Sequence, residues 1–170
     1  MKASTLLRPV CALLLALAGT AWAQVASDDP DWQETDVPPP PAFDIGKLVT
    51  FEVSSTSALV YGVDPASVTI SRKDSVVRYV MVATSPSGAR NVMYQGLRCA
   101  TGEYKVYGRY SADGQWTMVS QPEWRSLFGN MPSHHAMRFA RAGACDSAAP
   151  APSVAVLVSR LKNVNFRLAN

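Results

Sequence analysis

The stretch VVRYVMVATSPSGARNVMYQGLRC, residues 76–99, constrains the fold more than any other part of the chain. Two runs rich in β-branched and aromatic residues flank the segment TSPSGA, which is typical of a hairpin turn. Pro86 suits the first central position of a type I turn, and Gly88 suits the left-handed position of a bulged hairpin. This turn places Arg78 opposite Gly96. The sequence therefore predicts a long antiparallel hairpin whose register is already defined.

Alternation along the hairpin predicts two different faces. Arg78, Tyr94 and Arg98 share one face, and Gly96 leaves room beside Tyr94 for a guanidinium group to lie flat on the sheet. Such a face suits forked hydrogen bonds to a carboxylate, phosphate or sugar acid. The alternative is that the arginines form structural ion pairs, for which the candidate carboxylates are Glu103, Asp74 and Glu52. The opposite face is apolar and carries Val77, Tyr79, Met81, Met93, Leu97 and Cys99.

Other strand-like runs lie on both sides of the hairpin. They read LVTFEV, LVYGV and VTISR upstream and EYKVYGRY and QWTMVS downstream, and each is bounded by Gly, Pro, Ser or Asp. We expect the last four strands of the series to be consecutive neighbours in the sheet.

Helix signals come late in the chain. Ser120 followed by Glu123 forms a capping box that predicts a short helix ending at Gly129. A second helix is predicted from Ser133, and residues 153–163 carry a helical apolar face but remain open to an edge strand. Strands followed by helices predict an α+β fold over residues 48–168, with an antiparallel meander sheet of about six to seven strands and two to three short C-terminal helices.

The N-terminus has the pattern of a secretory signal peptide. Lys2 and Arg8 precede an apolar stretch that ends in small residues, which predicts cleavage after Ala23 and a periplasmic or exported protein. The stretch is shorter than the roughly 20 residues that span a membrane, and no later segment reaches that length, so no transmembrane segment is expected after cleavage. The remaining chain has fourteen basic and thirteen acidic residues, so nothing in its charge suggests the basic footprint of a nucleic-acid-binding protein, and no nucleic-acid partner is expected.

Cleavage would leave two cysteines, Cys99 and Cys145. An even pair in an oxidising compartment predicts a disulfide, while a redox or metal site lacks the expected C-x-x-C motif. Residues 24–47 are polar and centred on DVPPPP, which predicts an extended leader, either a spacer or a ligand for a proline-recognising groove. Trp32 is predicted to dock this leader onto the core.

Motifs of catalytic or metal chemistry are poorly supported. The histidines His134 and His135 are adjacent and predict a surface pair at a helix start, so neither a metal site nor a cofactor is expected. No G-x-S-x-G elbow, G-x-G-x-x-G turn or P-loop occurs in the sequence. A carboxylate pair for glycoside hydrolysis would have to come from Glu52, Glu103, Asp64 and Asp113, whose spacing does not pair them.

Aromatic residues cluster downstream of the hairpin. Tyr104 and Tyr110 are predicted to share one strand face, with Tyr107 on the other. Exposed, the cluster would suit sugar stacking or a protein partner; buried, it is core. The candidate binding residues taken together are Arg78, Tyr94, Arg98, Asn91, Trp116 and Trp124.

The hairpin, the later TGEYKVYG and DGQW segments and the upstream DWQE together resemble the cryptic neisserial protein-like family of bacterial envelope proteins. The resemblance covers roughly residues 31–145 and implies an exported protein with a single domain, and it assigns no catalytic residue. Gln95 stands where that family has Glu. The matching positions are Trp32, Asp64, Arg78, Tyr79, Gly88, Asn91, Tyr94, Gly96, Arg98, Cys99, Trp116, Trp124 and Cys145.

These observations favour a non-catalytic periplasmic or cell-envelope domain over an enzyme. Its partner would be an envelope protein or an anionic small ligand, held by the Arg78–Tyr94–Arg98 face or by the leader. The alternatives are a hydrolase acting on an envelope polysaccharide or peptide through an unidentified carboxylate pair, and a structural accessory.

Overall fold

A computed structural model describes residues 30–131 and 133–163, so the predicted signal peptide lies outside the described residues. Its main sheet is antiparallel and has eight described strands. The strands are β1 (Val49–Phe51), β2 (Val60–Val63), β3 (Thr69–Ile70), β4 (Val76–Thr84), β5 (Arg90–Arg98), β6 (Glu103–Tyr110), β7 (Trp116–Met118) and β8 (Arg125–Ser126). The C-terminal elements are α1 (His135–Phe139), a π-helical turn (Ala140–Ala144), the paired strands β9 (Cys145–Asp146) and β10 (Ala149–Pro150), and α2 (Val154–Lys162).

The central hairpin has the predicted register. Arg78 pairs with Gly96 and Val76 pairs with Arg98 along the β4–β5 ladder. Gly88 adopts a φ of +85° in the turn, a conformation that glycine reaches without steric cost. All of the predicted strand segments form strands, and β4, β5, β6 and β7 are consecutive neighbours.

The sheet departs from a simple meander because β2 and β3 both lie along the same side of β4. A 3₁₀ turn over Pro65–Ser67 separates the two short strands. The Ser67 hydroxyl accepts a hydrogen bond from the Val80 amide (3.1 Å) and donates one to the Asp64 carbonyl (2.7 Å), so it replaces part of the interrupted ladder. The side chain of Asp64 caps the turn through the Ala66 amide.

The helix predicted from Ser120 to Gly129 is wrong. Arg125 and Ser126 instead form β8, which pairs with Tyr104 and Glu103 of β6. The open edge of β6 offers backbone hydrogen bonds to this segment, and they outweigh the local capping signal, which is worth only about 1 kcal/mol.

The two later helices are present. Helix α1 begins at His135 rather than being capped by Ser133, and Gly143 (φ +133°) lies in the turn that follows it. The open question over residues 153–163 is settled as helix α2, whose N-cap Ser153 accepts a hydrogen bond from the Val156 amide (3.2 Å).

A β-bulge in β6 overturns the prediction that Tyr104 and Tyr110 share a face. The β5–β6 register shifts between Tyr94 and Gln95, which leaves Tyr107 as the extra residue on β6. Tyr104 therefore packs with the core under the helices, while Tyr110 packs with Tyr107 on the other face.

The two faces of the sheet bury separate apolar clusters. One face packs against α1, the π-helical turn and α2, and includes Tyr79, Leu97 and Phe139, each fully buried. The other face carries a smaller cluster around Tyr94, which is covered by Val37 and Phe43 of the leader and by Leu48, the residue that follows it. Within the described ranges, no helix is long and apolar enough to cross a bilayer.

The predicted disulfide is confirmed. Cys99 at the end of β5 is joined to Cys145 at the start of β9, a sequence separation of 46 residues. The bond therefore ties the central hairpin to the C-terminal helical layer.

We predict that the Cys99→Ser/Cys145→Ser variant loses about 4 kcal/mol of unfolding free energy, because the link restricts a long loop in the unfolded chain. Urea denaturation of the oxidised wild type and the variant measures this loss. Reduced wild type serves as the control and should match the variant. Equal stability of the oxidised and reduced proteins would contradict the prediction.

Candidate functional site

We call the sheet surface that carries Arg78, Tyr94 and Arg98 the arginine face. The Arg78 side chain is only 3% exposed, and its Nη2 lies 2.7 Å from Oδ2 of Asp74, whose side chain is fully buried. Burial alone would raise the pKa of Asp74, but hydrogen bonds from Arg78, Ser71 and Thr35 outweigh it and hold that pKa well below its usual value. Asp74 is thus a permanently charged partner for Arg78 at neutral pH.

The leader covers the arginine face. Glu34 accepts hydrogen bonds from Lys105 Nζ (2.6 Å) and from the Tyr107 hydroxyl, and it lies 3.5 Å from Arg78 Nη2. Thr35 donates its backbone amide (3.0 Å) and its hydroxyl (2.6 Å) to Asp74. The leader therefore adds the carboxylate of Glu34 to the charged groups of the sheet, so that positive and negative side chains alternate across this face.

Two tryptophans, Trp32 and Trp124, pack against the arginine face. Trp32 donates its indole N–H to the Asp74 carbonyl (2.9 Å), and its ring lies 3.7 Å below the guanidinium carbon of Arg98. Trp124 packs edge-on against Trp32, with ring centroids 5.8 Å apart, and lies under Lys105 Nζ at 4.7 Å. Trp32 therefore docks the leader as its position predicts.

The space above Gly96 is filled by Tyr107 and not by a guanidinium group. A Cβ atom at Gly96 would overlap the Tyr107 hydroxyl oxygen, so only glycine admits this tyrosine. Burial, followed by the hydrogen bond to Glu34, raises the pKa of Tyr107. The hydroxyl therefore stays protonated and donates to the carboxylate.

Both arginines of this face form the structural ion pairs that were predicted as the alternative to ligand binding. Asp74 pairs with Arg78, and Glu103 lies 3.7 Å from Arg98. Two of the three carboxylates predicted as partners are therefore found beside the arginines. Glu34 was not found from sequence, since its partners lie 44 to 73 positions away. Trp116 also lies on this side, against Phe43 of the leader, with ring centroids 6.0 Å apart. Binding of a partner by this face stays a prediction.

We predict that Glu34→Gln lowers the unfolding free energy by about 2 kcal/mol, because Lys105 and Arg78 lose a negative partner in a largely buried place. Urea denaturation measures the loss. The matched control is Asp36→Asn, an exposed leader carboxylate, which should change stability by no more than about 0.5 kcal/mol. Equal effects of the two variants would show that the network does not hold the leader.

The helix-covered face opens at the hairpin end into a cavity of about 480 Å³, which we call the His135 pocket. Its polar and charged lining includes Arg90, Asn91, Arg109, Ser133 and His135. Its apolar and aromatic walls include Leu59, Tyr61, Ala83, Met93, Tyr104 and Met131. Of the candidate binding residues, only Asn91 lines this pocket, because alternation puts it on the face opposite Tyr94.

His135 is buried, so the prediction that both histidines lie on the surface is wrong for this residue. His134 is exposed, as predicted. The Nε2 of His135 lies 2.9 Å from Nε2 of Gln95, and its Nδ1 lies 3.2 Å from the Ser133 hydroxyl. The ring stacks on Tyr61, with centroids 5.8 Å apart and planes 5° apart. Burial, with the positive charge of Arg109, lowers the pKa of His135 to about 4. The imidazole is therefore neutral at pH 7.

Two cations line the pocket without a carboxylate partner. Arg90 and Arg109 are exposed, and neither forms a salt bridge within residues 30–131 and 133–163. Among the described residues that line the pocket there is no aspartate or glutamate. The surface there is consequently positive.

The carboxylates considered for hydrolysis lie elsewhere. Glu103 bonds Thr101 and lies beside Arg98, while Asp64 is buried and accepts from the Asp44 amide (2.8 Å). Glu52 and Asp113 are exposed. The described part of the chain contains no group of three His, Cys, Asp or Glu side chains placed to hold a metal ion.

The fold and its cavity define an antiparallel-sheet protein with a disulfide-linked helical layer and a positively charged pocket. The chain belongs to the CNP1-like family, whose profile matches residues 27–162. The description of this bacterial family names no activity, and the fuller family name suggested by the sequence motifs stays a prediction. A comparison with curated proteins and one with solved structures found no match.

We predict that the wild type loses stability as the pH falls from about 6.5 to about 4, because only the unfolded chain protonates His135 in that window. The loss is on the order of 3 kcal/mol. Urea denaturation across this range measures it. His135→Gln should abolish the loss within the window, while His134→Gln should retain it. The same pH dependence in both variants would contradict the assignment.

Proposed function

We propose that this protein is an exported, non-catalytic binding domain of the periplasm or cell envelope that holds a small organic anion in the His135 pocket. The sequence predicts an anionic ligand on the arginine face. The His135 pocket, which we propose as its site, lies on the opposite side of the sheet. On the arginine face the leader already supplies the anion, in the form of Glu34.

The observation that carries the proposal is Arg109 on the pocket face of β6, together with Arg90 near the hairpin turn, which lines this pocket and also a cavity on the leader side of the sheet. Arg78, by contrast, has its charge compensated by Asp74 and Glu34. Guanidinium groups that line a cavity without an acidic neighbour favour a ligand with carboxylate or phosphate oxygens, which they bind through forked hydrogen bonds. The amide side chain of Asn91 adds a further polar contact at the same pocket.

The walls of the pocket suggest the rest of the ligand. Leu59, Met93 and Met131 are apolar, and Tyr61 and Tyr104 add aromatic surface. The cavity volume of about 480 Å³ lies in the range that accommodates small molecules. An anion carrying an apolar or aromatic arm fits both sets of contacts.

Export is supported by the signal-peptide pattern of residues 1–23 and by the disulfide. A disulfide persists in the periplasm and outside the cell, whereas cytosolic thiols stay reduced.

The proposal is tested by titrating the full oxidised protein with phenylacetate and with phenylacetamide, its neutral isostere, by isotope-edited NMR. We expect phenylacetate to shift the resonances of the pocket residues and to bind more tightly than phenylacetamide. Arg90→Gln and Arg109→Gln should each weaken phenylacetate binding about tenfold, since each removes a charge-assisted hydrogen bond.

The matched control is Arg72→Gln, an exposed arginine of the β3–β4 turn that does not line the pocket. It should bind phenylacetate like the wild type. Failure of phenylacetate to shift the pocket resonances, or equal weakening by all three substitutions, would overturn the proposal.

A further inference from the structure

We infer that the Tyr61 hydroxyl is a third hydrogen-bond donor to the bound anion, and that the chain Gln95–His135–Ser133 sets the direction of its proton. The inference rests on the proposed function, because it concerns which ligand the same pocket selects. It makes Tyr61 a specificity-determining residue and Gln95 a positioning residue.

The chain begins at Gln95, which is fully buried. Its side-chain nitrogen lies 3.8 Å from Met93 Sδ and 2.9 Å from Nε2 of His135. A thioether sulfur accepts hydrogen bonds and donates none, so the side of the amide that faces it is the N–H side. His135 Nε2 is therefore an acceptor of the Gln95 amide proton.

A neutral imidazole carries one N–H group, so acceptance at Nε2 places the proton of His135 on Nδ1. Burial of the ring keeps the imidazole neutral at pH 7, as its lowered pKa indicates. Nδ1–H then donates to the Ser133 hydroxyl oxygen, 3.2 Å away. This leaves the Ser133 proton free to point to another acceptor.

We assign Tyr61 as that acceptor, because the Ser133 hydroxyl has two partners among the described residues, His135 Nδ1 and the Tyr61 hydroxyl, and Nδ1 is the donor in the first contact. The Tyr61 hydroxyl oxygen lies 3.0 Å from the Ser133 oxygen. Since Ser133 donates to Tyr61, the proton of Tyr61 itself is not used in this contact. Among the described residues, the Tyr61 hydroxyl makes no other hydrogen bond, and Tyr61 lines the His135 pocket. The remaining proton is therefore available to a ligand.

The pocket thus presents donors from three residues, namely Arg90, Arg109 and Tyr61. A group that only accepts hydrogen bonds, such as a carboxylate or a phosphate, satisfies all of them. An amide or an alcohol would turn a donor of its own toward one of these protein donors. The chain therefore favours an organic oxyanion with an apolar arm over its neutral isostere.

The experiment measures the state of the chain and its effect on binding separately. In the ligand-free wild type at neutral pH, the ¹⁵N chemical shifts of His135 should show the proton on Nδ1. Tyr61→Phe should weaken phenylacetate binding about tenfold, with little change for phenylacetamide. Tyr110→Phe, which removes a tyrosine hydroxyl on the opposite face of the sheet and outside the pocket, should leave both affinities unchanged.

The results separate the two proposals. A proton on Nε2 of His135 overturns the inference even if Tyr61→Phe does not fold. Wild-type affinity of Tyr61→Phe for phenylacetate, combined with weaker binding by Arg90→Gln and Arg109→Gln, overturns the inference and leaves the proposed function in place. Failure of the wild type to bind phenylacetate overturns the proposed function and, with it, the role of Tyr61 as a donor to the anion.

Discussion

The contact between Arg78 and Asp74 is the interaction on which the rest of the structure depends. A buried charge is tolerated only when a partner and further hydrogen bonds compensate it. Asp74 meets this demand by joining two parts of the chain: its carboxylate binds Arg78 on β4 and Thr35 in the leader, and its backbone carbonyl accepts from the indole of Trp32, also in the leader. The leader therefore contributes to the folded layer as a strand or helix would, although it forms neither over residues 30–44.

This arrangement makes the two faces of the sheet different in kind. The bulge at Tyr107 turns the remainder of β6 by one residue, so that Tyr107 and Tyr110 both pack under the leader and Arg109 lies over the helix-covered face. One face then has its charges compensated from within the chain. The other keeps two cations at an open cavity beside a neutral, buried His135. The second face is therefore the one that we propose to bind a ligand.

Local patterns predict the parts of this fold that local forces determine. Turn chemistry and alternation define the register around Arg78 and Gly96, and the helical face of residues 153–163 is real. The same reasoning fails at residues 120–129 and at Tyr110, where an open strand edge and a bulge override it. Neither effect leaves a local signal, because each depends on which backbone groups a neighbouring strand leaves unpaired.

The sequence alone determines the central hairpin, the division of its side chains between two faces and the pairing of the two cysteines that follow the predicted leader. The hairpin and its two faces follow from the spacing of neighbouring residues along the chain. The disulfide follows from the number of cysteines after the predicted signal peptide, which is two. Only the tertiary structure decides which charges meet. Glu34 reaches Tyr107 and Gln95 reaches His135 across 73 and 40 positions, distances over which alternation carries no information. The ion pairs and the pocket are therefore products of chain folding, since burial and desolvation act only once the layers have closed.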